Sequence, residues 1–419
     1  MEFLFTYKKV KQQINITKNN NNTQSYGLGG KAMSKILLDQ KEIILPKSVE
    51  MIPYSREVDY STFSRVLDDN KVVASYKMYW LIALLDEVSL GNVDIPFKKL
   101  VSRMVVNAWY PIRAFKLSFG YCDNLVTVVN YIADTYGFEN NYEETKLLNF
   151  LCSTEDKALV KLLKDLTINV PYRFLSPFLN EKVLDKKKPM KELEELSRVE
   201  DNCIYGIYKD DKNESFIRIK DGWIDYLKYN YRIIKGWAYY KLVCFLQKRN
   251  PNVPAIAFKL EAPKERKLSK ATKLWKDVIS TSKIVDIYTG KYFTEENYDL
   301  HGGLSIDHFI PWSFVLHDQI WNLVPTFKNI NSKKSDDLLL YDNYIADFCD
   351  LQYEAFSHVC KKKVNDIAEE YIDVFRVENI YEFYKNGTKE MFSNELKKCI
   401  SPLYQIAANQ GFKVREKLL

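Results

Sequence analysis

The stretch that decides the reading is Ser305–Asp337, "SIDHFIPWSFVLHDQIWNLVPTFKNINSKKSDD". It holds two of the chain's four histidines. An Asp-His pair, Asp307-His308, stands shortly before Pro311. Asn322 follows 14 residues after His308 and Asn331 nine beyond that, and the run closes on Lys333-Lys334. "LSIDHFI" reads as a strand stopped at Pro311, and "WNLVP" as a second extended run. "TFKNINSKKSDD" reads as a helix with Thr326 as N-cap. The order is strand, loop, strand, helix. Asp307 and His308 then end the first strand, Asn322 opens the second and Asn331 lies on the helix. Adjacent residues of an ideal strand point to opposite faces. Asp307 and His308 therefore share one site only if the strand twists at its end or the reactants approach from two sides.

The rest of the chain sets bounds. At 419 residues it is long enough for two or three domains, and 46% hydrophobic with 28% charged residues is ordinary for a globular protein. A net charge of +6 permits a polyanionic partner without demanding one. The seven cysteines form no C-x-x-C pair. Cys122, Cys152, Cys203 and Cys244 sit in apolar or mixed sequence and read as reduced, buried thiols, which suits a cytoplasmic location. The N-terminal "MEFLFTYKKVKQQ" has no signal-peptide core. No apolar run reaches about 18 residues, so no membrane span is expected.

Four segments are expected. Residues 1–50 form an N-terminal extension, Asn-rich and partly loop, with "KEIILPKSV" as a candidate strand. Its "GLGGK" lacks phosphate-loop spacing and places Ala32 where Ser or Thr is required. Residues 51–255 form a helical body, in which "SYKMYWLIALLDEV" is apolar on all faces, as a buried helix is. "VPYRFLSPFL" reads as an aromatic-packed loop, and "WIDYLKYNYRIIKGWAYYKLVCFLQKRNP" as one long helix ended by Asn250-Pro251. Residues 256–340 hold the Asp-His segment and the basic helix ahead of it, "KERKLSKATKLWKDVIS". Residues 259–276 carry seven Lys or Arg against two Glu. On that helix Arg266, Lys270 and Lys273 share one face, with Lys264 and Lys267 on a neighbouring stripe. Residues 341–419 form a helical tail.

The Asp-His segment resembles the HNH endonuclease family, the ββα-metal fold. The resemblance rests on Asp307-His308 with Pro311 and Ser313, on Trp321-Asn322-Leu323-Val324, and on Asn331-x-Lys333-Lys334-x-Asp336. It is similar to the variant whose last ligand is Asn, as in the HNH domain of RNA-guided CRISPR nucleases, and covers about fifty residues, 287 to 338. It implies an α+β protein, mainly helical, with an embedded ββα-metal unit. It also implies metal-dependent hydrolysis of phosphodiester bonds in nucleic acid, with DNA the expected substrate and bacterial restriction or anti-phage defence the expected setting. Rival readings are a non-catalytic nucleic-acid-binding subunit and an RNA-directed nuclease.

The residue types suit that chemistry. A neutral imidazole near pH 7, His308, can take a proton from water. Asp307 and Asn331 offer the oxygens that Mg²⁺ or Mn²⁺ prefers. Asn322, grouped with His308 as catalytic, is expected to hold the loop and the His308 backbone. Lys334 shares a helix face with Asn331 and could meet phosphate as a point charge, with Lys333, Lys328, Arg266, Lys270 and Lys273 as further contacts. His301 is expected in a turn, His317 in the loop and His358 on a helix. Many HNH domains bind structural zinc through two Cys pairs. Here Asp286, Thr289, Phe327 and Ile330 stand at those positions, so no zinc is expected. Tyr288, Tyr292, Phe293, Phe327 and Ile330, with Trp275 and Trp321, are expected to pack in its place. A protein partner or homo-oligomer would use the helical body.

Overall fold

Helical periodicity dominates from Tyr76 onward, and the architecture follows it. The computed structural model describes residues 52–68, 72–121, 123–140, 142–183, 189–261 and 266–418. The N-terminal extension, Cys122 and Lys264 lie outside these residues. Helix α1 (Tyr76–Ser89) is buried on nearly every side, as its all-round apolar sequence requires. It packs against α2 (Phe97–Arg113) and α3 (Tyr231–Arg249). A small antiparallel sheet flanks them, with strand order β1 (Asp94–Pro96), β3 (Ser215–Ile219), β2 (Tyr205–Lys209). Arg218 and Asp94 face each other across β1 and β3 in a two-bond ion pair of 2.6 and 2.7 Å.

Two body elements differ from expectation. The long aromatic helix is split into Asp221–Tyr229 and α3, because Asn230 leaves helical geometry and its Nδ2 caps the Tyr226 carbonyl at 2.9 Å. "VPYRFLSPFL" is not a loop but two short helices, Val170–Arg173 and Ser176–Val183. Pro171 and Pro177 sit in their first turns, where a missing N–H leaves no helical bond unmade. Cys203 is buried, Cys152 and Cys244 are half-buried, and all three are free thiols.

The second half builds a hairpin and helix inside a helical cage. Helix α4 (Ser269–Thr281) begins partway through the basic stretch, so Arg266 and Lys267 precede it and do not share the stripes of Lys270 and Lys273. Its buried face, Leu274, Trp275 and Val278, packs against the hairpin of β4 (Leu304–His308) and β5 (Leu323–Phe327). Pro325 sits within β5, which a two-stranded hairpin tolerates because each strand has a free edge. Helix α5 (Lys328–Lys334) follows at once. Its cap is Phe327, not Thr326; Thr326 is buried in β5 opposite Ser305. The Lys328 N–H finds the Gly303 carbonyl at 2.9 Å instead.

The chain then runs through β6 (Leu338–Leu339), α6 (Tyr341–Lys362), α7 (Asn365–Phe375) and α8 (Lys389–Asn409). It returns as β7 (Val414–Arg415), parallel to β6. Phe356, Tyr371, Phe375 and Phe392 lock the three helices together, with Phe356 stacked on Phe392 at 4.9 Å. Buried Gln352 on α6 donates from Nε2 to the Ile320 and Leu323 carbonyls, at 3.0 and 2.7 Å. Ile52–Leu419 makes one contact-linked unit. The fold is thus α+β, mainly helical, with an embedded ββα unit. Among the described residues no helix is long and apolar enough to cross a membrane.

Lys259 fastens the stretch between the body and α4 to the hairpin loop. It is fully buried, and its Nζ donates to the Phe314 carbonyl at 2.5 Å. Burial pushes its ammonium down from the ordinary 10.5 to about 7. Below about pH 7 both folded and unfolded chains carry the proton, and the whole cost of burying the charge is felt. Between about 7 and 10.5 the unfolded chain binds more protons, so stability rises with pH, by at most about 1.4 kcal/mol per unit. Denaturant melts of wild type and Lys259→Met at several pH values should show the wild type gaining on the variant from pH 7 to 10. A gap that stays constant with pH would contradict this.

Candidate active site

The site is assembled from three short pieces. The first is the turn Asp286–Lys291. Asp286 accepts from the Thr289 N–H at 3.1 Å and from Thr289 Oγ1 at 2.6 Å, and Gly290 takes the left-handed conformation (φ 68°) that closes the turn. Burial raises the Asp286 carboxyl above its usual range. This turn occupies the position of the first Cys pair, and it delivers the Tyr288 hydroxyl to Asp307.

The second piece is the end of β4. Asp307 and His308 are both buried, at 4% and 3% exposure, yet both border one open pocket of about 250 Å³. The alternation problem is resolved at the strand terminus. His308 is the last strand residue, and the next two residues are held by Asn322. The Asn322 carbonyl accepts from the Phe309 N–H at 2.9 Å, and its carboxamide pairs with Ile310 N and O at 2.8 and 2.9 Å. Asn322 is fully buried and does not border the pocket. The expectation of a loop brace is met at Ile310 rather than at the His308 backbone, and grouping Asn322 with the catalytic residues is corrected to a structural place.

The third piece is α5. Asn331 Nδ2 donates to Ser305 Oγ at 2.8 Å and to the Ile306 carbonyl at 3.1 Å, so the atom it can offer the pocket is its amide oxygen. Lys334 differs from expectation. It is 1% exposed, lies 3.0 Å from Asp307 Oδ2, and donates to the His308 carbonyl at 2.8 Å. Its ammonium sits behind the carboxylate and is not presented to a phosphate. The Tyr288 hydroxyl also donates to Asp307 Oδ2, at 2.5 Å. Burial and the Asp307 charge hold the Tyr288 phenol well above its ordinary pKa, so it remains a donor. With Oδ2 engaged twice, Oδ1 of Asp307 is the oxygen left for a cation.

Asp307 and Asn331 border one pocket, and the hard oxygens left to them by their other bonds make a donor set that fits Mg²⁺ or Mn²⁺. Among the described residues no group of three or more His, Cys, Asp or Glu is placed to hold a metal. At the second Cys-pair position, Phe327 packs on Phe293, Tyr298 and His301 at 5.2–5.8 Å, and Ile330 is buried. Trp275 and Trp321 are buried beside the hairpin, but Tyr292 is 54% exposed and lies outside the small core.

The cationic candidates separate into three groups. Arg266 is exposed, borders the pocket and lies over the Trp312 ring at 5.8 Å. Lys270 is spent elsewhere: its Nζ bonds Glu370 at 2.9 Å and the Asp366 carbonyl at 2.7 Å, both on α7. Its charge is thus already matched within the chain. Lys273, Lys328 and Lys333 are exposed and outside the pocket lining.

Sequence reasoning missed Asp318, whose Oδ1 lies 3.0 Å from His308 Nε2. Its only signal was a carboxylate ten residues after the histidine, inside the same loop. His317, beside it, packs on Trp321 at 4.9 Å, and burial first, then the neighbouring His308, lowers it to about 4. His301 ends the helix Glu295–His301 rather than sitting in a turn, and His358 is half-buried on α6. A larger cavity of about 550 Å³ lies in the body, lined by Phe97, Val101 and Leu163 with Lys98, Lys164, Lys209 and Glu214, and holds no comparable constellation.

Comparison with known proteins agrees with this geometry. Neither curated proteins nor solved structures gave a match to the chain. A family model described as HNH endonuclease matches residues 286–338. That span begins at the Asp286 turn, contains Asp307, His308 and Asn331, and ends just after α5. The segment that builds the pocket is therefore an HNH endonuclease module.

Proposed function

We propose that this chain is a metal-dependent endonuclease that hydrolyses phosphodiester bonds in nucleic acid, with DNA the expected substrate. The observation that carries the reading is the convergence of His308, Asp307, Asn331 and Arg266 on one open pocket. His308 takes the proton from the attacking water. Asp307 and Asn331 would hold a hard divalent ion, which would supply neutralisation of the charge that builds during phosphodiester hydrolysis. Tyr288 and Lys334 fix the carboxylate of Asp307 from behind. Arg266 offers a forked donor suited to phosphate from the pocket rim. A restriction or anti-phage role is the biological setting proposed, by analogy with the family.

The deciding assay incubates the protein with plasmid, linear duplex, single-stranded DNA and RNA, with and without Mg²⁺. Cleavage of RNA alone would overturn the DNA assignment, and cleavage of nothing would overturn the enzyme reading. His308→Ala should lower turnover by about 10²–10⁴-fold while leaving nucleic-acid affinity and the melting midpoint close to wild type. Unchanged turnover in the purified variant would remove His308 from the mechanism.

Chelation should abolish cleavage, and Mg²⁺ or Mn²⁺ should restore it, while circular dichroism and the unfolding midpoint stay the same. Loss of the fold on chelation would mean that a metal serves structure rather than chemistry.

The cations give a separate test. Arg266→Ala should flatten the slope of log affinity against log salt by about one unit, as for one lost phosphate contact. Lys270→Ala should leave that slope unchanged and cost at most about 1 kcal/mol of stability, because it removes a half-exposed ion pair. The reverse pattern would restore Lys270 to the binding surface.

A further inference from the structure

We propose that Asp318 is the positioning residue of the general base, fixing the His308 ring in the tautomer that carries its hydrogen on Nε2. The inference rests on the endonuclease reading and adds a residue to it. Asp318 lies in the loop between β4 and β5, just after Leu316, whose left-handed backbone (φ 57°) turns the chain back toward the strand end. Its Oδ1 stands 3.0 Å from His308 Nε2, and its Oδ2 accepts from the Lys267 N–H at 2.9 Å.

The chemistry of the pair decides the tautomer. An ionised carboxylate can only accept, so the ring nitrogen facing it must be the donor. A neutral imidazole carries one hydrogen, and with that hydrogen on Nε2 the lone pair is left on Nδ1, free to take a proton from water. Partial burial would raise the Asp318 carboxyl, but the bonds from His308 and the Lys267 N–H outweigh it and hold it below its ordinary value. The carboxylate is thus ionised at neutral pH. Without Asp318 the ring has no such partner to choose between its tautomers or to fix its tilt.

The loop is built to hold this carboxylate still. The Ile320 N–H, two residues on, donates to Glu370 Oε2 at 2.6 Å, and Gln352 takes the Ile320 carbonyl at 3.0 Å. Both braces come from the C-terminal helices. The second oxygen of Asp318 pins Lys267, the neighbour of pocket-lining Arg266, so one side chain indexes both the base and the phosphate-facing cation. A purely structural alternative exists in the same bonds: Asp318 could serve only to anchor Lys267.

The test separates these. Asp318→Asn and Asp318→Ala are made alone and in the His308→Ala background, with kcat and KM measured on the nucleic acid that wild type cleaves best. The positioning role predicts a fall in kcat of about 10²–10⁴-fold with KM little changed, since the wrong tautomer or tilt disables the base. It predicts no further loss when either change is added to His308→Ala, because the two residues act as one unit. Anchoring of Lys267 alone would raise KM, spare kcat and add to His308→Ala, and that result overturns the proposal. Nitrogen-15 spectra of the histidine rings in the full chain at pH 8 give a readout independent of cleavage. The His308 signals, assigned by their absence in His308→Ala, should show Nε2–H in wild type and a shifted tautomer balance in Asp318→Asn. An Nδ1–H ring in wild type overturns the proposal. If wild type cleaves no nucleic acid, the endonuclease reading fails, and the same spectra still uphold or overturn the bond itself.

Discussion

The buried ammonium of Lys334 is the interaction on which the rest of the site depends. It is shared between the carboxylate of Asp307 and the carbonyl of His308, at 3.0 and 2.8 Å. Such a charge is costly to bury, and it persists because its partners satisfy it where they lie. One end of this bond is the last turn of α5, and the other is the last two residues of β4. The helix therefore cannot slide along the strand without breaking it, and Asn331 is carried into register with Asp307 by the same constraint. Tyr288 completes the arrangement from the neighbouring turn, so three separate stretches of chain converge on one carboxylate oxygen.

A two-stranded hairpin is marginal in isolation. Here it is held by aromatic packing at Phe327, by Trp275 from α4, and by polar braces from the tail. Asx hydrogen bonding at Asp286 and Thr289 shapes the turn at the first Cys-pair position. The stretch that joins the body to α4 reaches the same loop from the other side, through Lys259 and the Phe314 carbonyl. The loop between β4 and β5 is thus clamped between elements that are distant in sequence.

The legible part of this protein was local. Strand, loop, strand and helix could be read from Ser305–Asp337 because alternation, Pro311 and the Asn spacing are short-range signals. The buried character of α1 was equally plain. What could not be read was which polar groups had already found partners. Lys270 looked like a phosphate ligand until Glu370, a hundred residues away, was seen to hold it. Lys334 was placed on the correct helix face, but its burial depends on Tyr288 and Asp307 closing over it. Thr326 had the chemistry of a cap, yet β5 runs one residue further and buries it. Asp318 is one loop carboxylate among many until folding sets it against His308. Tyr292 and Tyr288, four residues apart, read alike as core, and only the geometry of the turn sends one inward and the other to solvent.

The two carbonyls that Gln352 satisfies bear on portability. Ile320 and Leu323 lie inside the matched segment, while their donor lies on α6, outside it. Residues 286–338 moved into another host would carry every side chain that borders the pocket except Arg266. They would leave behind the amide that quiets the backbone of the loop between β4 and β5, and Glu370, which holds the Ile320 N–H. The pocket of this HNH module is written in about fifty residues, but its rigidity is on loan from helices that a transplant of the motif would not include.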